Sequence, residues 1–436
     1  MTMVEGSKPR KDNWLYSVFP FSVASGPLGT MIQLYLIELD GQVLGTIYSG
    51  LASAVYNGIS IPAALIWGLT IDRLHRRRVM IALSYLLSAA ALVSFYFDRS
   101  TAGTIAIYSV ISFMSFASAT PLNLLIMETE KKGHWAGAFA KLSMVSGVGN
   151  VAGLVFSTVW TDILPAKLVL LFVPMGALSV VSAILSLLLI REPSFVFERE
   201  TILRRKPSFF SRLLANPVFF LSIPSASDFR RAFRGLRSSL THQVPLFYIS
   251  TILFYVSSGL FNTSFAPAMH LFTLPDQQVF GVVLAGMVLQ TLVFRWVGTY
   301  VGKRGLIGTS IQGLLLRGWS YLGIGVAALL VSGPLFVVPA VILYPMAGGI
   351  AFAIYYTSAN TMMFTTVQPK SAGAALGVYS AVVGIATTGG SLASGFISVD
   401  IGYYTTFIFA GVLLFGAAAI VARLPRPSSP DEGVLQ

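Results

Sequence analysis

Cysteine is absent from the 436 residues, which excludes disulfides, thiolate metal sites and cysteine nucleophiles. Charge is scarce as well. Asp, Glu, Lys and Arg together make up 11% of the chain, about half the share usual in a soluble domain. Only four histidines are present, His75, His134, His242 and His270, in loops or at segment ends. They form no ligand cluster, so solvated structural roles are expected for them and no metal. No Gly-x-x-x-x-Gly-Lys-Ser/Thr loop occurs, so the chain is not expected to hydrolyse a nucleotide itself.

What is present is apolar. Hydrophobic residues make up 55% of the sequence, in runs long enough to cross about 30 Å of hydrocarbon as helix. The runs are rich in Gly, Ala, Ser and Thr, which suit close helix packing in lipid. Ten-residue alternating segments of a membrane barrel are missing. Spans are predicted near 14–36, 43–67, 78–97, 103–127, 135–160 and 167–190, then 244–268, 278–301, 307–331, 334–362, 372–397 and 403–423. The run from Trp14 to Leu36 is too long for the core of a signal peptide and reads as a retained first span.

The formal charge of +12 follows from topology. Among the 29 Lys and Arg, Arg99 and Lys167 fall in loops of one face, and Lys141 and Arg317 within spans. The remainder gathers at the opposite face, while Glu38, Asp40, Asp98, Asp162, Asp276 and Asp400 mark the first. This bias predicts a plasma-membrane protein with both termini cytoplasmic, and no nucleic-acid partner. Residues 191–243 carry ten basic residues and four acids, half of the net charge, and divide the spans into two sets of six. Within that stretch Phe229, Phe233, Leu236 and Leu240 recur at helical spacing, with Arg230, Arg231, Arg234 and Arg237 mostly elsewhere on the wheel. Residues 229–240 therefore read as a surface helix whose arginines meet anionic lipid headgroups.

The two sets echo each other. AGAFAKLSMVSGVGNVAG follows the fourth span and AGAALGVYSAVVGIATTGG the tenth; GLTIDRLHRRR follows the second and GTYVGKRG the eighth. Such a duplication predicts a pseudo-two-fold axis along the membrane normal and a site between the halves near mid-bilayer. Gly68, Asp72, Arg73, Arg76 and Arg77 resemble the signature between spans two and three of the major facilitator superfamily, Gly-x-x-x-Asp-Arg-x-Gly-Arg-Arg. His75 stands where that signature has its second Gly. In the second half Gly298, Lys303 and Gly305 survive, but Gly302 takes the Asp position. METEKKGHWAGAF and QPKSAGAALGVYSAVVG, the latter followed by DIGYYTTF, are similar to further segments of that superfamily. SSGLFN and REPS resemble, in part, motifs of its sugar porters. The resemblance implies a cytoplasmic gate in which Asp72 meets the start of span eleven near Ser371 to Gly373, held by Arg73 and Arg76.

No Asp or Glu falls in the middle of a predicted span; Glu128 and Glu130 sit at an end of the fourth. Buried carboxylates are the usual proton relays. The superfamily's fourth-span Arg has no counterpart in YSVISFMSFASATP, and Gly149-x-x-x-Gly153 is followed by Leu154 rather than Pro. A carboxylate-coupled proton antiporter is therefore disfavoured. An intramembrane enzyme would need an acid, base, metal or nucleophile pair at depth, so no enzyme and no cofactor are expected.

In the superfamily, spans one, four, seven and ten line the cavity. Each here carries small or polar residues on one helix face: Ser22, Ser25, Gly29 and Gln33; Ser112, Ser115, Ala119 and Asn123; Tyr255, Ser258 and Asn262; Gly349, Tyr356 and Asn360. The candidates for substrate contact are Gln33, Ser112, Asn123, Tyr255, Asn262, Tyr356 and Asn360, although such stripes also pack helices. Lys141 is expected to snorkel and Arg317 to serve a structural, hydrogen-bonded role.

The expectation is an all-α integral membrane protein of about twelve transmembrane helices in two pseudo-symmetric six-helix bundles. The divisions are 1–190 and 244–423, with the linker 191–243 and a tail at 424–436. Its expected work is secondary active or facilitative transport of a small neutral or amphipathic organic solute, sugar-like or drug-like, by alternating access, as a monomer. The alternatives are export of an organic anion or drug using Lys141 and Arg317, or a lipid-moving or receptor-like role on the same scaffold.

Overall fold

The computed structural model describes residues 13–74, 76–129, 135–164, 168–190, 244–366 and 372–424. These are almost wholly helical, with no strand among the described residues. Lipid offers no partner to a backbone N–H or C=O, so long apolar segments must satisfy their hydrogen bonds internally. Many of the Ser and Thr within them do the same. Ser109 donates to the Ile105 carbonyl, Ser157 to Gly153, Thr251 to Phe247 and Thr291 to Met287, each one turn back at 2.7–2.9 Å. Hydroxyls tied down in this way sit in hydrocarbon without an orphaned donor.

In chain order the helices are α1 Phe19–Ser25, α2 Leu28–Leu74, α3 Arg77–Phe97, α4 Thr101–Thr129, α5 Trp135–Ile163 and α6 Phe172–Leu189. They continue as α7 Val244–Leu271, α8 Asp276–Arg304, α9 Leu306–Leu330, α10 Val337–Tyr344, a π-helical turn Pro345–Ala351, α11 Phe352–Thr366, α12 Ala372–Asp400 and α13 Tyr403–Val421. Ten helices among the described residues are long and apolar enough to cross a membrane. Residues 28–74 add a hairpin. Their helix reverses at Gly41, whose φ of 76° belongs to the left-handed region that only glycine enters freely. The two arms press together just beyond: a Cβ on Gly45 would lie 2.6 Å from the Ile37 Cα.

Helices α1 to α6 pack chiefly on one another, led by α3 with α6 and α4, and α2 with α4. Helices α7 to α13 do likewise, led by α9 with α13, and α7 with α12 and α13. Among the described residues three pairings dominate the join between the sets: α2 with α12, α5 with α8, and α2 with α7. The first two are the same contact made twice. Exchanging the two sets would map the one onto the other, the relation expected of the internal repeat in the sequence.

Glu38, Asp40, Asp98, Asp162, Asp276 and Asp400 all lie where helices turn at one end of the bundle, with Arg99 and His270. This end is called the acidic end below. Arg76, Arg78, Lys303, Arg304 and Arg423 lie at the other, the basic end. Arg295, counted with the basic face on sequence, instead lies inside α8, nine residues before its end, and is exposed. The linker 191–243 falls outside the described residues, and with it the surface helix expected at 229–240, as do 1–12 and 425–436.

Candidate functional site: the seam between the two helix sets

Along the seam α2 and α12 meet without intervening side chains. A Cβ on Gly50 would lie 3.0 Å from the Gly395 Cα and 3.0 Å from the Ser391 carbonyl oxygen. This close approach carries the two helices side by side as far as Ile61, which packs against Gly384.

At the acidic end the seam is fastened by hydrogen bonds of amide, hydroxyl, carbonyl and imidazole groups. Gln42, one residue past the Gly41 turn, is their hub. Its Nε2 donates to the Pro267 carbonyl and to the Tyr403 hydroxyl, both at 2.8 Å, and its Oε1 lies 3.0 Å from His270 Nδ1. The Tyr403 hydroxyl also pairs with Thr46 Oγ1 at 2.6 Å. Every one of these bonds links the first helix set to the second. A groove of about 280 Å³ opens beside them, lined by Gln42, Leu271, Phe272, Ser398 and Tyr403 among others. Close by, Glu38 meets like charge across the seam: partial burial and the Asp276 carboxylate push its carboxyl above the ordinary glutamate value, with Arg99 offsetting part of the rise.

Deeper in the seam lies a second polar contact. Gln33 Nε2 donates to the Asn262 carbonyl at 3.3 Å, and Ser49 donates to the Gln33 carbonyl at 3.3 Å. The Asn262 side chain is exposed although residues 257–261 and 263–269 around it are buried. Within the stretch 253–269 Asn262 is the one exposed side chain, which fits an internal space, since a lipid-facing stripe would repeat every turn. Tyr255, two turns away, is half-buried and meets Phe254 edge-on at 5.0 Å. Tyr356 is 41% exposed and stacks on Phe352 at 5.3 Å; Asn360 follows one turn on, half-buried.

The remaining sequence candidates are placed variously. Ser112 is fully buried and donates to the Tyr56 carbonyl at 2.6 Å, joining α4 to α2, and Asn123 on the same helix is exposed. Among the stripe residues, Ser22 is buried where α1 meets α5: a Cβ on Gly149 would lie 2.5 Å from its own. Gly349 is buried against α8. Of the gate residues, Gly68, Asp72 and Arg73 belong to the last turns of α2, their surroundings outside the described set; Ser371 lies outside the described residues, and Gly373 lies at the start of α12. Arg76 is exposed at the break before α3, and Arg77 is buried at the start of that helix. Lys141 is exposed on the second turn of α5.

Arg317 is the one charged side chain fully enclosed among the described residues, at 2% exposure. Its Nε donates to the Tyr321 hydroxyl at 2.7 Å, and its guanidinium lies over the rings of Phe254, Tyr321 and Phe352 at 4.8, 5.1 and 5.3 Å. The sequence pointed to a hydrogen-bonded Arg317 but not to the aromatic cage, nor to Gln42, Thr46 and Tyr403. The π turn Pro345–Ala351 was also missed. Its only sequence signal is Pro345 with Gly348 and Gly349 inside an apolar run.

The family model of the Major Facilitator Superfamily matches residues 15–344. No curated protein sequence matches the chain significantly. Among solved structures, a mutant form of the nucleoside transporter NupG superposes with a TM-score of 0.69 at 16% identity, covering 94% of this chain and 99% of that one. A POT family transporter in complex with a thioalcohol-conjugated peptide gives 0.70 at 14% identity, covering 94% and 95%. The human organic anion transporter MFSD10 gives 0.61 at 14% identity, covering 95% and 100%. At such identities the likeness is one of fold.

Proposed function

The chain belongs to the Major Facilitator Superfamily, and we propose that it carries a small neutral or amphipathic organic solute by alternating access between its two helix sets. It is a transporter and not an enzyme, and an integral multi-pass membrane protein. In the proposal the sets correspond to 1–190 and 244–423, with six spans each. The basic end and both termini face the cytoplasm, and residues 229–240 rest on the inner leaflet. The solute sits between Gln33, Asn262, Tyr255, Tyr356, Asn360 and Asn123.

One observation carries this reading. Apart from the His270 imidazole, the polar contacts that join the sets at the acidic end and mid-seam are made by amides, hydroxyls and carbonyls. Amides and hydroxyls both donate and accept, which suits a solute with hydrogen-bonding groups and no multiple charge. The described carboxylates lie at the acidic end, so coupling through a mid-span acid gains no support.

In this conformation the proposed outer end is shut through Gln42, and Asp72 would fasten the cytoplasmic end in the opposite one. The test is counterflow in liposomes. Purified protein is first screened for thermal stabilisation by a solute panel. A hit should then exchange across the bilayer without an imposed proton gradient. Flux that appears only under a pH gradient, or lipid exchange with no solute flux, would overturn the proposal.

A further inference from the structure

Arg317 sits about 16 to 20 Å from either end of α9, at 1.5 Å per residue. That depth puts it beyond the reach of headgroups. A guanidinium keeps its charge in such a place, so the cost of burial must be met by partners. The aromatic rings meet part of it by covering the flat faces of the group. The in-plane N–H edges are a separate matter. Nε is taken by Tyr321, while Nη1 is buried with no hydrogen-bond partner. The carboxylates with described side chains all lie at the acidic end, and none is paired with it. A planar donor fork with covered faces and a buried, unpartnered edge is the arrangement that accepts an oxyanion or a halide.

The surroundings connect this edge to the proposed cavity. Arg317 is near enough to Tyr255, Tyr344 and Tyr355 to interact with them electrostatically, and Tyr356 interacts in the same way with Tyr255. Phe352 lies over the guanidinium on one side and stacks on the 41%-exposed Tyr356 on the other. A single ring therefore separates the enclosed cation from an exposed one. That ring follows directly on the π turn Pro345–Ala351, which Tyr344 directly precedes. π turns interrupt regular helical bonding and commonly mark working positions in a helix.

We propose that Arg317 is the receptor for one singly charged anionic group, which enters past Phe352 and Tyr356 and completes the open edge of the guanidinium. The group is either a carboxylate on the transported solute or an inorganic anion bound beside a neutral one. The inference rests on the transporter reading and narrows it, to a monoanionic amphipathic solute in the first case and to an anion-assisted neutral solute in the second.

The test uses full-length protein in lipid nanodiscs with benzoate, its neutral counterpart benzamide, and chloride titrated into a sulfate buffer. Benzoate or chloride should raise the melting temperature, with benzamide inactive. In Arg317→Gln the apparent affinity for the active anion should fall about 30-fold or more, the usual effect of truncating one partner of a buried charged hydrogen bond. Arg317→Lys should keep part of the response. Without anion, Arg317→Gln should melt no lower than the wild type, because it removes an incompletely compensated charge.

A response to benzoate alone assigns the site to the solute's carboxylate, and a response to chloride assigns it to an inorganic anion. Equal stabilisation by benzamide, no response to either anion, or an anion response unchanged in Arg317→Gln would each overturn the proposal. Should Arg317→Gln melt lower and lose the response, Tyr356→Ala, which leaves the guanidinium in place, decides: altered anion affinity supports the site and an unaltered one overturns it. Counterflow run in parallel separates the two readings. An Arg317-dependent anion response without solute flux sinks the transport mechanism and leaves the anion site standing.

Discussion

Gln42 offers the sharpest perturbation of the cycle, because one half-buried side chain holds three contacts across the seam. Gln42→Ala removes the bonds to Pro267 and Tyr403 at 2.8 Å and to His270 at 3.0 Å. Neutral hydrogen bonds contribute about 1 kcal/mol each net of water. Those at a half-exposed site contribute less, so the total is about 2 kcal/mol. That figure corresponds to about a 30-fold shift from the closed acidic end toward the open one. Tyr403→Phe breaks two bonds, to Gln42 and Thr46, but Thr46 keeps its bond to the Gln42 carbonyl at 2.6 Å. Its effect should be about half as large in free energy, roughly a fivefold shift. The absence of native cysteine makes the assay direct: Asn262→Cys supplies one thiol in the internal space beneath the latch, and Thr273→Cys an exposed control. Labelling of position 262 by an impermeant maleimide from the acidic side should accelerate in Gln42→Ala, less so in Tyr403→Phe, with position 273 unchanged. Equal rates at position 262 in all three backgrounds would show that these bonds do not hold the end shut.

The Glu38 carboxyl is raised in the closed form by partial burial and by Asp276, so proton binding favours closure. Acidifying that side should slow labelling of position 262 between the raised value and the ordinary glutamate value. Below both values there should be no further change, and Glu38→Gln should flatten the response. Asp72→Asn should sharply lower transport while the protein remains in the membrane, measured as counterflow per molecule of inserted protein. Gly50→Val places a branched side chain where a single Cβ already meets the Gly395 Cα at 3.0 Å. Overpacking of this kind costs about 1–3 kcal/mol, so labelling at position 262 should rise and the melting temperature fall.

Much of the architecture is legible because hydropathy and charge bias act locally. Apolar runs long enough to span lipid and the one-sided placement of Lys and Arg need no knowledge of tertiary contacts. The Gly41 hairpin falls in the gap between the spans expected at 14–36 and 43–67, where Glu38 and Asp40 interrupt the apolar run. The latch was not legible at all. Gln42 and Tyr403 are 361 residues apart, and neither belongs to a periodic pattern that would single it out. Small-polar stripes are ambiguous for a physical reason. Ser22 against Gly149 and Ser112 on the Tyr56 carbonyl use the residues that let helices approach, and the same residues serve a solute. Asn262 was distinguishable only once burial of its neighbours was known. Arg317 shows both sides. Its i, i+4 partner Tyr321 is readable from spacing, whereas Phe254 and Phe352 come from two other helices.

The chemistry of the acidic end suits a gate that has to open repeatedly. A buried ion pair there would lose several kcal/mol on separation if either charge stayed buried, and its desolvation cost would return on every closure. Bonds among Gln42, Thr46, Tyr403, His270 and the Pro267 carbonyl are exchanged for water at a net cost of about 1 kcal/mol each. Glu38 facing Asp276 acts in the opposite sense, since two carboxylates disfavour the closed seam whenever both are ionised. The repulsion therefore offsets part of the few kcal/mol that the polar bonds supply. A bound solute can reverse a gap of that size through its differential affinity alone. The glycine contact between α2 and α12 gives no such adjustment. It sets where the helices touch, and the few polar bonds beyond it set how long they stay together.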